Sequence, residues 1–265
     1  MATTVQTTAP PRQGMTWIPD GSFDMGSEDF YPEERPVRRV SVRGFWIDTE
    51  PVTVARFRRF VKATGYVTVA ERDLDPAPGS LVFHPTQGPV PLDDFRQWWS
   101  YVDGACWQRP EGPGSETYGR ARHPVVHVTP EDAEAYAASA GASLPTEVEW
   151  EYAAVAGAHD QVNRWHGDFP WRGYRGTSPV GTFPPNDHGL LDMVGNVWEW
   201  TADPFTAQAE ACCHADLGDV PRRVIKGGSH LCAPNYCHRY RPAARQGEAI
   251  DTSTSHIGFR CIVRA

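Results

Sequence analysis

The sequence predicts an irregular α+β domain with little regular secondary structure. Glycine and proline number 24 each in 265 residues, so turns and breaks interrupt the chain at short intervals. The 10 tryptophans supply large rings on which long ordered loops can pack. Helical patterns are short, and they fade after about residue 156. These features disfavour a regular helical bundle or a doubly wound sheet.

Three segments carry the start and stop signals of helices. Thr53 can cap a helix that ends at Gly65. A second helix is predicted from Thr129, which is followed by a proline and two acidic residues, to Gly141. A third is predicted to begin at Thr146 in a T-x-x-E capping box and to continue to about residue 156.

Strands and loops are predicted for the rest of the chain. Residues 21–27 indicate a strand that ends in a turn, and the partial alternation over residues 37–46 indicates one further strand. Residues 160–265 have the pattern of strands and loops. We expect residues 1–14, rich in Thr, Pro and Ala, to form a flexible tail and residues 15–265 to form a single domain.

Composition and charge limit the classes of function. A formal net charge of −8 provides no electrostatic attraction for nucleic acid or an anionic membrane. No apolar run approaches the length of a membrane helix, and the N-terminus has no apolar segment of the kind found in secretory signals. We therefore predict a cytoplasmic protein, and nothing in the sequence requires more than a monomer.

The segment 226–241 holds two of the six cysteines, Cys232 and Cys237. A spacing of five suits neither one face of a strand nor one face of a helix, and Pro234 and Asn235 between them favour a turn. This segment therefore predicts a loop that folds back and brings the sulfurs together. Such a pair can form a disulfide, bind a soft metal ion or perform redox chemistry.

The remaining cysteines and the histidines suggest no further site. Cys106 and Cys261 are expected to be buried small apolar residues, and the adjacent Cys212 and Cys213 are expected to be free thiols in a loop. None of the ten histidines forms an H-x-x-x-H or H-E-x-x-H pair on a predicted helix, which argues against a zinc hydrolase.

A series of short motifs occurs in one order between about residues 15 and 261. They are GSFDMGS at 21–27, WQRPEGP at 107–113, LPTEVEWEY at 144–152, GNVWEWT at 195–201, the cysteine loop at 226–241, and GFRC at 258–261. This series resembles the formylglycine-generating enzymes and their sulfatase-modifying-factor domain. The cysteine loop, G-G-S-x-x-C-x4-C-x-R-Y-R, is the part that distinguishes these enzymes from relatives with other chemistry. The resemblance implies a compact irregular α+β fold related to C-type lectins.

The resemblance also implies an activity. Members of the family use molecular oxygen to convert the cysteine of a Cys-x-Pro-x-Arg motif in a sulfatase to Cα-formylglycine. By the same resemblance, Cys232 and Cys237 would bind Cu(I) and leave room for the substrate sulfur, and soft thiolates do favour that ion. Ser229 and Tyr236 match the hydroxyl residues that flank the cysteines, with positioning and proton-transfer roles. The alternative is a non-catalytic binding module on the same lectin-like scaffold.

A calcium site is implied by the same resemblance. Its oxygens would come from the main chain near Val194, Gly195 and Val197 and from the carboxylate of Glu199, a donor set that suits calcium. The alternative is that Glu199 stabilises a turn beneath neighbouring tryptophans. By the same resemblance a second calcium site would begin at Asn163, but Arg172 or Gly173 falls where the family has its acidic partner.

Overall fold

The secondary structure consists of short, separate elements. We analysed a computed structural model, which describes residues 9–72, 77–157, 161–206 and 220–265. The α-helices within these ranges are α1 (Val54–Thr64), α2 (Pro130–Ser139) and α3 (Glu147–Ala154). The strands are β1 (Met15–Ile18), β2 (Gly21–Met25), β3 (Arg38–Val42), β4 (Phe45–Asp48), β5 (Gly79–Phe83), β6 (Trp99–Asp103), β7 (Trp198–Pro204), β8 (Arg222–Lys226), β9 (Arg245–Ala249), β10 (Ile257–Gly258) and β11 (Ile262–Arg264). The predicted irregular α+β class is confirmed.

The three helices begin at the predicted caps. The Thr53 hydroxyl accepts a hydrogen bond from the Arg56 amide at the start of α1, and Gly65 ends that helix with φ 70°. Helices α2 and α3 each begin with a reciprocal capping box, formed by Thr129 with Asp132 and by Thr146 with Glu149. Local sequence signals were sufficient here because each cap satisfies its own backbone donors.

Four small sheets carry the strands. One has the order β1-β4-β11 and another the order β10-β7-β8-β9, while β2-β3 and β5-β6 are two-stranded. All pairs are antiparallel except β10 with β7. The four-stranded sheet positions the site, because the cysteine loop leaves the end of its strand β8.

The single strand predicted for residues 37–46 is wrong. The segment forms the end of one sheet and the start of another: β3 pairs with β2, whereas β4 pairs with β1 and β11. Gly44 lies at the change of direction, where a Cβ atom would approach the Trp17 ring to 2.4 Å. The break falls inside a segment that alternates only in part, and the pattern does not show which strands its two halves pair with.

Large aromatic side chains hold the loops together, as the composition predicts. Six indoles are at most 2% exposed: Trp98, Trp107, Trp150, Trp165, Trp198 and Trp200. The largest apolar cluster joins α1 and α2 to the four-stranded sheet and includes Phe57, Phe259 and Cys232. One of the two candidate metal ligands is therefore anchored in the core.

The N-terminal segment is bonded to the domain over its described part. The Arg12 guanidinium binds the buried Asp48 carboxylate at 2.9 Å, and the Gly14 carbonyl accepts from the Thr49 amide. Residues 1–8 lie outside the described ranges, so a flexible tail there stays a prediction. No helix within the described ranges has the length and hydropathy needed to cross a membrane.

Candidate active site

Two glycines start the cysteine loop directly after β8. Gly227 and Gly228 have φ values of 93° and 71°, a backbone region that favours glycine. A Cβ at Gly227 would approach the Met193 carbonyl oxygen to 2.7 Å, and one at Gly228 would approach the Arg239 carbonyl oxygen to 2.4 Å. The paired glycines therefore let the start and the end of the loop lie against each other.

The loop folds back through a turn at Ala233–Tyr236. The Ala233 carbonyl accepts hydrogen bonds from the amides of Tyr236 and Cys237, at 3.0 and 2.7 Å. This turn brings the sulfurs of Cys232 and Cys237 to 3.3 Å from each other. Neither cysteine forms a disulfide, so the two sulfurs meet as predicted and remain unbridged.

The two sulfurs are not equivalent. The Cys232 thiol donates to Cys237, and together with the positive charge of Arg239 this bond lowers the pKa of Cys237 to about 6. The same bond, together with burial, raises the pKa of Cys232. At neutral pH the pair is therefore one thiolate, Cys237, held by one thiol, Cys232.

Both predicted hydroxyl residues lie on the same cavity as the sulfurs. The buried Ser229 donates its amide to the Cys232 sulfur at 3.5 Å, and its hydroxyl oxygen accepts from the Leu231 amide at 3.2 Å. Tyr236 stacks on Phe169, with ring centroids 4.4 Å apart and planes within 5°. Burial and the two sulfurs raise the pKa of Tyr236, so its hydroxyl stays protonated at neutral pH.

This cavity, which we call the sulfur cavity, has a volume of about 470 Å³ and an aromatic rim. Its lining comprises Tyr31, Leu81, Phe95, Trp99, Phe169, Trp198, Arg222, Ser229, Leu231, Cys232, Tyr236, Cys237, Arg239, Gln246, Glu248, Thr254 and His256. Phe95 is 60% exposed and Tyr236 is 41% exposed, which gives the cavity an apolar entrance. The two sulfurs therefore lie close together on one cavity wall, with Cys237 the more accessible of the two.

A segment far away in the sequence supports the end of the cysteine loop. Arg239 lies 3.8 Å from the Tyr31 ring centre and binds the Glu33 carboxylate at 2.5 Å. Arg241 binds both oxygens of the buried Glu34 carboxylate, at 2.6 and 2.9 Å. These salt bridges join residues more than 200 positions apart in the chain, so no local sequence pattern indicates them.

The donors in the sulfur cavity suit a soft metal ion. Cys232 and Cys237 are two adjacent sulfur ligands, one already ionised, and thiolates select Cu(I) over hard cations. No cluster of three or more histidine, cysteine or acidic side chains with metal-binding geometry occurs in the described part of the chain. A metal at this site would therefore depend on the sulfur pair and on a ligand supplied from outside.

Glu199 has contacts that the sequence did not predict. Its carboxylate accepts from the Trp150 indole at 2.7 Å and from Arg260 at 2.7 and 2.8 Å. All three residues are buried. A carboxylate has about four lone-pair positions, so about one remains, on Oε1, beside a fixed positive charge.

A second buried acid lies in the same segment. Asp192 has a pKa raised by burial, and the nearby Glu199 charge contributes to that increase. Asp192, Gly195 and Asn196 all have positive φ, which explains why Asp, Gly and Asn occupy the turn. Two carboxylates and the carbonyls of a turn are the kind of donor set that fits calcium, with Asp192 in addition to the predicted Val194, Gly195, Val197 and Glu199.

The residues of the doubtful second site are engaged in the protein's own hydrogen bonds. The Asn163 amide donates to the Gly176 carbonyl, to Ser178 and to the Asn196 side chain, all within 3.2 Å. The Arg172 carbonyl accepts from the Trp165 indole at 2.9 Å. No acidic side chain joins these contacts within the described residues, in agreement with the sequence.

The other cysteines are separate from the sulfur pair. Cys106 is 1% exposed and Cys261 is fully buried, which confirms the prediction for both. Cys212 and Cys213 lie outside the described residues.

The fold and the cysteine loop define a domain of the sulfatase-modifying class, and comparison with known proteins gives the same result. Residues 2–265 match the family model of the sulfatase-modifying factor enzyme 1-like domain. The chain belongs to this family.

Relatives and a solved structure show how far the similarity extends. A protein of Mycobacterium tuberculosis named formylglycine-generating enzyme is 52% identical, over 92% of this chain and 96% of its own length. A protein of Bos taurus named inactive C-alpha-formylglycine-generating enzyme 2 is 39% identical, over 93% of this chain and 87% of its own length. The solved structure of PvdO from Pseudomonas aeruginosa superposes with a TM-score of 0.64 at 26% identity, covering 94% of this chain and 93% of PvdO.

Proposed function

We propose that this protein converts the cysteine of a Cys-x-Pro-x-Arg motif in a sulfatase to Cα-formylglycine, using molecular oxygen and Cu(I). The observation that carries the proposal is the sulfur pair, Cys232 and Cys237, 3.3 Å apart on the wall of an open cavity. A relative at 52% identity has the corresponding name. The proposed copper would supply a soft centre that accepts the substrate sulfur and reacts with oxygen.

The residues of the chain would prepare the site in three ways. Cys237 provides a thiolate before any metal binds, and Cys232 loses its proton when it becomes the second ligand. Ser229 keeps its hydroxyl proton available, because its oxygen accepts from the Leu231 amide. Tyr236 remains a protonated donor beside the sulfurs, so the two hydroxyls can orient an oxygen species or a water molecule.

The shape of the sulfur cavity suits an extended peptide. Phe95, Trp99 and Tyr236 line the cavity and are at least partly exposed, so a proline can pack on their rings. Burial at this rim would also displace water from the incoming thiol. The substrate cysteine would thus reach the sulfur pair with its neighbours held along the aromatic rim.

The test is conversion of a synthetic peptide. Reduced protein loaded with Cu(I) is incubated under air with a peptide containing Cys-x-Pro-x-Arg, and the peptide is analysed by mass spectrometry. We expect the mass to fall by the difference between a CH₂SH and a CHO group. Cys232→Ala and Cys237→Ala should abolish both conversion and tight Cu(I) binding, whereas Cys106→Ala, a buried cysteine away from the cavity, should retain Cu(I) binding.

The alternative function is peptide binding without chemistry. The family includes a relative named as inactive, so similarity alone does not distinguish an enzyme from a peptide-binding protein. If the copper-loaded protein binds the peptide, as followed by tryptophan fluorescence, and leaves its mass unchanged, the protein is a binding module. Tight Cu(I) binding that survives either cysteine substitution would contradict ligation by the pair.

Structural calcium is a separate proposal for residues 192–199. Two buried carboxylates, Asp192 and Glu199, face one guanidinium, that of Arg260, which leaves net negative charge for a cation. We expect calcium to raise the Tm and the chelator EGTA to lower it, with the response lost in Asp192→Asn. An identical Tm with calcium and with EGTA would show that calcium does not stabilise the protein.

Cellular location and association state also remain proposals. We propose a cytoplasmic monomer, and sedimentation velocity of the purified chain tests its association state.

A further inference from the structure

Among the described residues that line the sulfur cavity, one has an acidic side chain, Glu248. It belongs to β9, the edge strand of the four-stranded sheet, and it is partly exposed. Its Oε1 accepts a hydrogen bond from the Ala249 amide at 3.3 Å. Its Oε2 accepts none from the described residues and is reachable by solvent. The cavity therefore has a carboxylate with an oxygen available to a ligand.

Strand geometry directs the Glu248 side chain toward the cavity. Successive side chains of a strand point to opposite faces, so Gln246 and Glu248 share one face and Gly247 lies on the other. The Phe205 ring covers the face of Gly247, because a Cβ atom at Gly247 would collide with it. Gln246 and Glu248 both line the cavity, in agreement with this alternation.

The cations nearest to Glu248 are bound elsewhere. Arg223 lies directly opposite Glu248 in the neighbouring strand, and it forms its ion pair with Glu134. Arg222 donates to the Gly247 carbonyl at 3.0 Å. Burial raises the pKa of Glu248, and the charge of Arg222 opposes this increase only in part. The ionised carboxylate is thus incompletely compensated within the described residues, and an arriving cation would stabilise it.

The position of Glu248 matches the length of the proposed substrate motif. In the register of β8 with β9, Arg245 lies opposite Lys226, and Glu248 follows three residues further along β9. At about 3.3 Å per residue, Glu248 is about 10 Å from the start of the cysteine loop, which follows Lys226. The arginine of Cys-x-Pro-x-Arg stands four residues after the cysteine, an extended span of about 13 Å. A substrate cysteine at the sulfur pair can therefore place its arginine within side-chain reach of Glu248.

We propose that Glu248 is the residue that binds the arginine of the substrate motif. A guanidinium and a carboxylate form a bidentate pair, and this geometry selects arginine over lysine. The inference rests on the proposed function, because it places a Cys-x-Pro-x-Arg peptide in the sulfur cavity. Glu248 binds the peptide away from the reacting sulfur, so it acts on the affinity and the KM rather than on kcat.

The test is a double-mutant cycle between Glu248 and the peptide arginine. Two peptides differ only by Arg or Gln at this position, and each is also made with Ser in place of Cys as an unreactive binding probe. Glu248→Gln should weaken binding of the Arg probe to the reduced, metal-free protein about tenfold and leave binding of the Gln probe unchanged. Isothermal titration calorimetry measures both. With the reactive peptides and Cu(I), the same variant should raise the KM for the Arg peptide and keep its kcat.

A charge reversal and a matched control locate the contact. The unmodified protein should prefer the Arg probe to a probe with Glu at that position, and Glu248→Arg should reverse this preference. The control is Asp251→Asn, which removes the same charge three positions further along the chain, at an exposed residue outside the cavity lining. It should change each affinity by less than about twofold, because exposed charges are screened.

Equal affinity of the unmodified protein for the Arg and Gln probes, or binding of neither, would overturn the proposal. An equal loss for both probes in Glu248→Gln, with no reversed preference in Glu248→Arg, would do the same. Failure of the oxidation gives a different pattern. The reactive peptides would then keep their mass in the presence of Cu(I), while the preference for arginine and its dependence on Glu248 persist in the binding measurements.

Discussion

At the scale of single residues, Cys232 and Cys237 differ in burial and in ionisation although both are cysteines. Cys232 is 2% exposed and belongs to the main apolar cluster, whereas Cys237 is half-buried and lies beside Arg239. One sulfur is therefore fixed in position and the other is ionised and accessible. This inequality follows from three-dimensional surroundings, because both residues are cysteines in one short loop.

Alkylation of the reduced, metal-free protein should reveal the inequality. The pKa of Cys237 is lowered to about 6, so iodoacetamide should modify Cys237 first, with a midpoint near pH 6, and the midpoint should rise in Arg239→Gln. Peptide mapping by mass spectrometry measures the modification of each residue. Equal labelling of both cysteines, with a common midpoint near pH 9, would show that the hydrogen bond does not polarise the pair.

At the scale of elements, the connection between β8 and the cysteine loop depends on backbone contact. The end of the loop returns to its start, and the Arg239 backbone lies so close to Gly228 that there is no room for a side chain at Gly228. The sequence predicted a turn at these glycines from residue type. It did not predict what the glycines approach, because the partner backbone lies eleven positions further along the chain.

Substitution of Gly228 should therefore damage both stability and Cu(I) binding. In Gly228→Ala the new Cβ would lie 2.4 Å from the Arg239 carbonyl oxygen in a backbone conformation with φ 71°. We expect a loss of about 2 to 4 kcal/mol in the free energy of unfolding and weaker Cu(I) binding, measured by urea unfolding and by competition with a chromophoric chelator.

The matched control is Gly119→Ala. Gly119 has a similar φ of 75° but no atom within 4 Å of the new Cβ. It should lose only about 1 kcal/mol, from backbone strain, and keep full Cu(I) affinity. If both variants behave alike, the close approach to Arg239 contributes nothing.

At the scale of the whole molecule, three histidines from distant segments lie close to one another: His127 and His230 are buried, and His256 is partly buried. Burial lowers the pKa of His127 and of His230 to about 4, and that of His256 to about 3, with the mutual repulsion of the three as a further cause for His256. All three are neutral in the folded protein at neutral pH. Their unfolded forms take up protons near pH 6.5.

Stability should consequently decrease in mild acid. The folded pKa of each histidine is below its unfolded value, so the unfolded state binds more protons once the pH falls below about 6.5. Stability is therefore full above that pH and falls toward pH 4, by about 1.4 kcal/mol per pH unit for each histidine. Urea unfolding at several pH values between 7 and 5 measures this slope.

One variant isolates a single histidine in that slope. His127→Gln removes one titrating group, and the slope should decrease by about one third of the histidine contribution. A stability that stays constant between pH 7 and pH 5 would show that the three rings are already protonated or solvated.

The sequence by itself determined the helix caps, the loop-rich α+β class, the family and the meeting of the two sulfurs. These features are local: a threonine three positions before an acid, or a proline and an asparagine between two cysteines, carries its own geometry. Only the tertiary structure decided that Glu199 is bound by Arg260, that Glu33 and Glu34 support the cysteine loop, and that the His230 ring binds the Asn196 carbonyl. Each of these joins segments far apart in the chain, and long-range contacts arise from packing that no local pattern encodes.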